Sequence, residues 1–185
     1  MTMAIVKSRW IKVGIAAVAV LVGTASAARA QESKVELGTS IASAVIGLGD
    51  NDFKTFGVPS GGLGLFNPSL YATIFVTPKI AIEPQAGIQV LSAGGDTETF
   101  TSLNAQVNYF LNGSDVNSLY VFGNVGLNSA TDVDSTTNVG GGVGYRIRAG
   151  DRLAMRADGR LTHHSDGGGN VLSFTFSIGG LFGKK

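Results

Sequence analysis

Three groups of side chains in this 185-residue chain are suited to chemistry. The first is Thr162-His163-His164-Ser165-Asp166, which holds both histidines. On an extended segment His163 and Ser165 share a face. The imidazole can then serve the hydroxyl as a general base, given an acid to orient it. Asp166 is the nearest such acid, usable if its loop folds back. The second group is Arg146, Arg148, Arg152, Arg156 and Arg160, whose numbers share one parity, with Glu83, Asp158 and Glu36 as carboxylates for them. The third is acidic: Asp50, Asp52, Asp96, Glu98, Asp132, Asp134 and Asp166, against Lys54 alone. Such oxygens can hold divalent cations, but no EF-hand spacing is present, so they read as solvated loops and no metal site is assigned. The run Gly140-Gly141-Gly142-Val143-Gly144 lies in an extended segment with no helix after it, which rules out a phosphate loop. Absent cysteine excludes a disulfide framework and a thiol nucleophile, and two histidines cannot make a three-histidine zinc site. No cofactor is implied.

The elements that position these residues begin after an export signal. Lys7, Arg9 and Lys12 precede the apolar run 13–22, and Ala28-Arg29-Ala30 supplies a small-x-small cleavage site. This order describes a cleaved signal peptide over residues 1–30, the apolar run being shorter than the ~20 residues of a membrane-spanning helix. An uncleaved anchor is the alternative. Residues 31–185 form one domain. That stretch retains ten basic residues against thirteen acids, a net charge near −3, and it has no basic patch for nucleic acid.

The mature chain alternates with period two. Ile80, Ile82, Pro84, Ala86, Ile88 and Val90 alternate with Glu83, Gln85 and Gln89. Leu103, Ala105, Val107 and Tyr109 alternate with Ser102, Asn104, Gln106 and Asn108. The same holds for Val139 to Ile147, Leu153 to Leu161 and Leu172 to Phe182. Three less regular segments are 34–45, with Val35, Leu37, Ile41 and Val45 on one face, 68–76 and 118–127. Side chains alternate between the two faces of a strand, so this predicts eight two-faced strands. The connections 77–79, 111–117 and 148–151 are short, whereas 46–67, 92–100, 128–137 and 163–170 read as longer loops. Short turns at one end and long loops at the other describe an up-and-down meander.

Which face is inside follows from composition. A soluble barrel of lipocalin type carries its apolar face inward and a surface rich in charge, about 25–35% Lys, Arg, Glu and Asp. Here the polar face is Asn, Gln, Ser, Thr and Gly, and no lysine falls within a strand interior. Small uncharged side chains fit a crowded lumen, with the apolar face toward lipid. Tyr109, Tyr145 and Phe182 fall near the short-turn end, where an aromatic girdle belongs. Eight strands of ~10 residues suit the chain length, and a sixteen-stranded porin does not. The expected fold is all-β: an eight-stranded antiparallel up-and-down transmembrane β-barrel.

With its signal peptide, eight alternating strands and terminal strand Val171 to Phe182, the chain resembles the small outer-membrane β-barrels of OmpA/OmpX type across the whole mature length. The resemblance implies a monomer in the bacterial outer membrane, both termini toward the periplasm, in contact with outer-membrane lipids and lipopolysaccharide. It also implies that the aromatic-ended last strand is read by the barrel-insertion machinery, although Gly183-Lys184-Lys185 follows Phe182. An eight-stranded interior is just filled by side chains. The arginine cluster with Glu83 and Asp158 is therefore expected to be an ion-pair network plugging the lumen, with a gated ion path as the sharper alternative. His163-x-Ser165 is similar to the motif of the lipid A 3-O-deacylases, which implies Ser165 as nucleophile and His163 as base. The acid expected on the last strand is missing, and Asp166 replaces the usual asparagine. The functional expectation is a structural or surface-interaction role without catalysis.

Overall fold

The computed structural model describes residues 35–48, 54–57, 70–93, 96–114, 116–130, 133–165 and 169–183. They form nine strands: β1 (Val35–Leu48), β2 (Lys54–Gly57), β3 (Leu70–Phe75), β4 (Ile80–Ala93), β5 (Asp96–Phe110), β6 (Ser118–Ala130), β7 (Val133–Arg148), β8 (Leu153–His164) and β9 (Asn170–Phe182). From β3 to β9 each strand pairs antiparallel with the next, and β1 pairs with β3 on one side and β9 on the other. The β1–β9 seam runs from Val35↔Phe182 to Leu48↔Asn170 and closes an eight-stranded barrel. Closure satisfies the backbone between strands, which is the condition for crossing hydrocarbon without a helix. The expected signal peptide lies outside the described residues.

The side chains divide as the alternation requires. Val107, Val125, Ile88 and Phe176 are more than half exposed, while Glu36, Thr73 and Asn108 are fully buried. Such an inside-out distribution is stable only if lipid meets the apolar face. Val107 and Tyr109 point outward, the reverse of a soluble lipocalin-like barrel.

Glycine makes the lumen fit. Tyr120, Phe122 and Asn124 on β6 are register partners of Gly144, Gly142 and Gly140 on β7. A Cβ on Gly142 would run into the Gly159 carbonyl of β8 and come 2.7 Å from the Phe122 ring, and one on Gly140 would meet the Leu161 carbonyl at 2.5 Å and Asn124 Oδ1 at 3.0 Å. Each large β6 side chain therefore lies flat across a partner that has none. The same arrangement seats Tyr71 over Gly38 and Asn104 over Gly126.

Three features depart from the sequence reading. Ile41 is an extra residue in the β1–β9 ladder, where Ser40 faces Ser177 and Ala42 faces Phe176. This bulge reverses the parity of β1, so Val45 is buried inside rather than sharing the outer face of Leu37 and Ile41. Second, β2 pairs with Ser43 to Ile46 of β1, so the expected 46–67 loop contains a short strand. Third, two other expected loops are mostly strand. The β4–β5 ladder continues to Ala93↔Asp96, and the β6–β7 ladder to Ala130↔Val133. Asp96, Glu98 and Asp134 thus stand in strands, whereas Asp50, Asp52, Asp132 and Asp166 lie outside the described residues. Alternation tracks the contrast between lipid and lumen. Backbone pairing continues beyond the lipid, where that contrast ends.

The opposite end is closed by compact turns. Thr77 Oγ1 accepts from the backbone N–H groups of Lys79 (3.2 Å) and Ile80 (2.9 Å). The Ser114 N–H donates to the Pro78 carbonyl at 2.7 Å, tying adjacent turns together. Gly150, at φ 78°, supplies the left-handed position in the turn between β7 and β8.

Candidate functional site

The lumen near the short turns holds a network that braces the barrel across its width. Glu36 on β1 lies 2.8 Å from Arg146 Nε through Oε2 and 2.8 Å from Arg156 Nε through Oε1. Arg146 continues to the Ser114 carbonyl, 2.8 Å away, at the mouth of the lumen. Arg156 Nη1 reaches Glu83 Oε2 on β4 at 2.6 Å, and its Nη2 donates to Thr73 Oγ1 on β3 at 2.6 Å. Thr73 in turn donates to Glu83 Oε2 at 2.5 Å, and Asn108 on β5 donates to the same oxygen at 3.1 Å. The Tyr71 hydroxyl donates to Glu36 Oε1 at 3.0 Å, and the Tyr120 hydroxyl donates to Asp158.

Aromatic rings fill the space between the charges. Phe75, Phe110, Tyr120 and Phe122 form a chain of tilted contacts with centroids 4.9–6.0 Å apart. Arg156 sits 4.7 Å from the Tyr71 centroid, Arg160 5.1 Å from that of Phe122, and Arg146 5.5 Å from that of Phe75. Guanidinium groups lose less when desolvated against π-faces than against aliphatic walls. The three acids Glu36, Glu83 and Asp158 balance Arg146, Arg156 and Arg160 in number. Paired in this way, buried charge is tolerable. Unpaired, it is strongly destabilising.

The structure brings together Glu83, Arg146, Arg156, Asp158 and Arg160 of the expected cluster, with Glu36 at its centre. Arg148 and Arg152 are not part of it. Arg148 ends β7 half-buried, with its backbone N–H bonded to Asn117 Oδ1 at 2.8 Å, and Arg152 is exposed in the 149–152 turn. Parity places a side chain inside only while the strand continues, and both residues lie where pairing gives way to the turn. Thr73 and Ser114 are members that sequence reasoning missed. Thr73 shares inward parity with Tyr71 and Phe75. Ser114 is in a turn, where parity carries no signal. Tyr109, Tyr145 and Phe182 are exposed on the lipid-facing side toward the short-turn end.

At the other end His163 and Ser165 are both exposed and outward. His163 is the register partner of Asn170, and its Nδ1 lies 3.1 Å from Asn170 Oδ1. The Ser165 hydroxyl accepts from Thr137 Oγ1 at 2.8 Å. The group that orients the imidazole is thus an amide on the last strand. Asp166, the acid named from the sequence, lies outside the described residues. His164 points inward and is buried.

Neither a family model nor a curated protein matches this sequence. Solved structures do. The N-terminal β-barrel domain of Pseudomonas aeruginosa OprF superposes with a TM-score of 0.52 at 14% identity, over 80% of this chain and 97% of that one. Neisserial surface protein A superposes with a TM-score of 0.54 at 13% identity, over 83% of this chain and 98% of that one. Both likenesses agree with the closed antiparallel ring. The chain has the fold of the small eight-stranded outer-membrane β-barrels.

Proposed function

We propose that this protein is a monomeric, non-catalytic barrel of the bacterial outer membrane that contributes to envelope integrity or surface interaction. Its carrying observation is the pairing of an apolar exterior with a lumen cross-braced by Glu36, Arg146, Arg156 and Glu83. A side-chain plug of this kind supports a rigid membrane element better than a pore. The chain is exported by a signal peptide cleaved near Ala30, and the aromatic-ended β9 is its signal to the barrel-insertion machinery. Lipids and lipopolysaccharide surround the band that includes Val107, Val125 and Phe176. Detergent-dependent fractionation with the outer membrane, a heat-modifiable gel mobility and no conductance steps in planar bilayers are expected. Recovery as a soluble periplasmic species refutes the reading.

A lipid A deacylase is the second reading, favoured by the 3.1 Å contact between His163 and Asn170, which orients the imidazole. Against it, the Ser165 hydroxyl is engaged by Thr137. Mass spectrometry of lipid A from cells expressing wild type or Ser165→Ala decides between the two. Identical acylation is expected, and loss of an acyl chain with wild type alone establishes the enzyme.

A further inference from the structure

The two ends of the barrel differ in charge. Residues 31–34, 76–79, 111–117, 148–152 and 183–185 precede, link or follow strands at the short-turn end. They contain six cations against Glu32, Asp115 and Asp151. The segments at the other end hold Asp50, Asp52, Asp96, Glu98, Asp132, Asp134 and Asp166 against Lys54. Lys79 and Arg152 are exposed, and among the described residues neither meets a carboxylate. Arg148 is half-buried and shares its turn with Asp151, so it adds no net charge there.

The backbone fixes both exposed cations where the apolar exterior ends. The Lys79 carbonyl accepts from the Phe110 N–H at 2.7 Å, and the next residue, Ile80, is the register partner of Tyr109. The Arg152 carbonyl accepts from the Leu181 N–H at 2.9 Å, and the next residue, Leu153, is the register partner of Gly180. The Phe182 ring lies over Gly180, 3.2 Å from where a Cβ would stand. Ile80, Tyr109, Leu153 and Phe182 are all exposed on the outer face. Aromatic rings at such a level sit at the membrane interface. Lys and Arg stems follow apolar surface while their charged heads leave it. A cation held just beyond the hydrocarbon meets lipid phosphate.

From these observations we infer that the short-turn rim is a docking surface for anionic phospholipid headgroups, with Lys79 and Arg152 as its phosphate contacts. The 77–79 and 149–152 turns lie on opposite sides of the eight-stranded ring, so the two cations hold separate lipids. An anionic headgroup is favoured over a zwitterionic one because no amine of its own offsets its phosphate. The acidic segments at the other end repel the same headgroups and confine them to one rim. This inference rests on the membrane-barrel reading above and narrows it to a lipid class and a place.

The wild-type barrel in maltoside micelles, titrated with dioleoylphosphatidylglycerol or with dioleoylphosphatidylcholine of the same chains and followed by backbone amide NMR, provides the test. Phosphatidylglycerol is expected to shift the amides of Lys79 and Arg152 severalfold more than phosphatidylcholine does, and to leave those of Ser135 and Asn170 in place. Sodium chloride at about 0.5 M should weaken the response. Lys79→Gln and Arg152→Gln should each lower phosphatidylglycerol affinity about fivefold at their own turn and leave the opposite turn unaffected. Lys79→Arg and Arg152→Lys should retain it. Equal shifts with both lipids, or shifts as large at Ser135 and Asn170, overturn the rim. An equal response to inorganic phosphate overturns it as a lipid site. Should the glutamine variants fail to fold, the wild-type comparison still decides. A chain that stays soluble without detergent refutes the barrel reading and the rim with it, whereas equal shifts in a folded, detergent-dependent barrel remove the rim alone.

Discussion

Replacing Glu36 with alanine removes the carboxylate that two lumen arginines share, and the structure sets the scale of the loss. Arg156 keeps Glu83 at 2.6 Å, so its charge remains compensated. Arg146 is left with the Ser114 carbonyl at 2.8 Å and the faces of Phe75 and Phe110, none of which carries a charge. Breaking one buried pair costs about 3–5 kcal/mol, and the stranded Tyr71 hydroxyl adds about 1 kcal/mol. Glu36→Ala is therefore expected to destabilise the barrel by roughly 4 kcal/mol or more. Glu36→Gln keeps an acceptor for Tyr71 and is expected to cost about half as much. The double variant Glu36→Gln/Arg146→Met removes the unpaired charge and should recover most of the loss. The assay is reversible urea unfolding in phospholipid vesicles, followed by far-ultraviolet circular dichroism and by the mobility difference between folded and unfolded bands. Fluorescence is unsuitable because the single tryptophan, Trp10, precedes the barrel. A Glu36→Ala cost within about 1 kcal/mol of zero refutes the argument that the network is held by charge pairing. So does a double variant no more stable than Glu36→Ala.

Other substitutions probe separate parts of the molecule. Gly142→Ala drives a methyl group into the Gly159 carbonyl oxygen of β8 as well as to 2.7 Å from the Phe122 ring, and should cost about 1–3 kcal/mol or more by overpacking in the same urea titration; because the nearer contact is backbone, the additional change Phe122→Ala should relieve little of that cost. Arg152→Ala, at an exposed turn position, is expected to shift stability by no more than about 0.5 kcal/mol, whereas Arg146→Ala leaves Glu36 compensated by Arg156 at 2.8 Å and should cost less than Glu36→Ala. Phe182→Ala should slow assembly in cells, seen as accumulation of unfolded precursor by pulse-chase, while leaving the equilibrium midpoint of the purified barrel nearly unchanged. An unaltered assembly rate counts against β9 as the insertion signal.

Much of the architecture was legible because a transmembrane strand displays its two solvents in its sequence. Val107 and Tyr109 alternate with Gln106 and Asn108, and the structure turns the first pair to lipid and the second to the lumen. The same parity located Glu83, Arg146, Arg156, Asp158 and Arg160. It failed wherever its premise lapsed. At Ile41 one extra residue reversed the faces of β1 and carried Val45 inside. At Arg148 and Arg152 the strand had ended. Along β4 and β5 pairing outran the apolar band as far as Ala93↔Asp96, so strand was read as loop. At the opposite end His163 and Ser165 were correctly placed outward, but Asn170 as the partner of His163 depends on a cross-strand register that one strand cannot reveal.

By itself the sequence determined that the chain crosses its environment as paired strands with an apolar outside and a polar inside. That information is local: period two in side-chain polarity, connections rich in Gly, Asp, Ser and Thr, and no competing helical pattern. Which arginine meets which carboxylate was decided only by the tertiary structure. Partners such as Glu36 and Arg146 come from strands on different parts of the ring, brought within 2.8 Å by strand order, stagger and closure together. Parity assigns a side chain to the lumen. Its depth there, and therefore its partner, follows from the register of all eight strands at once.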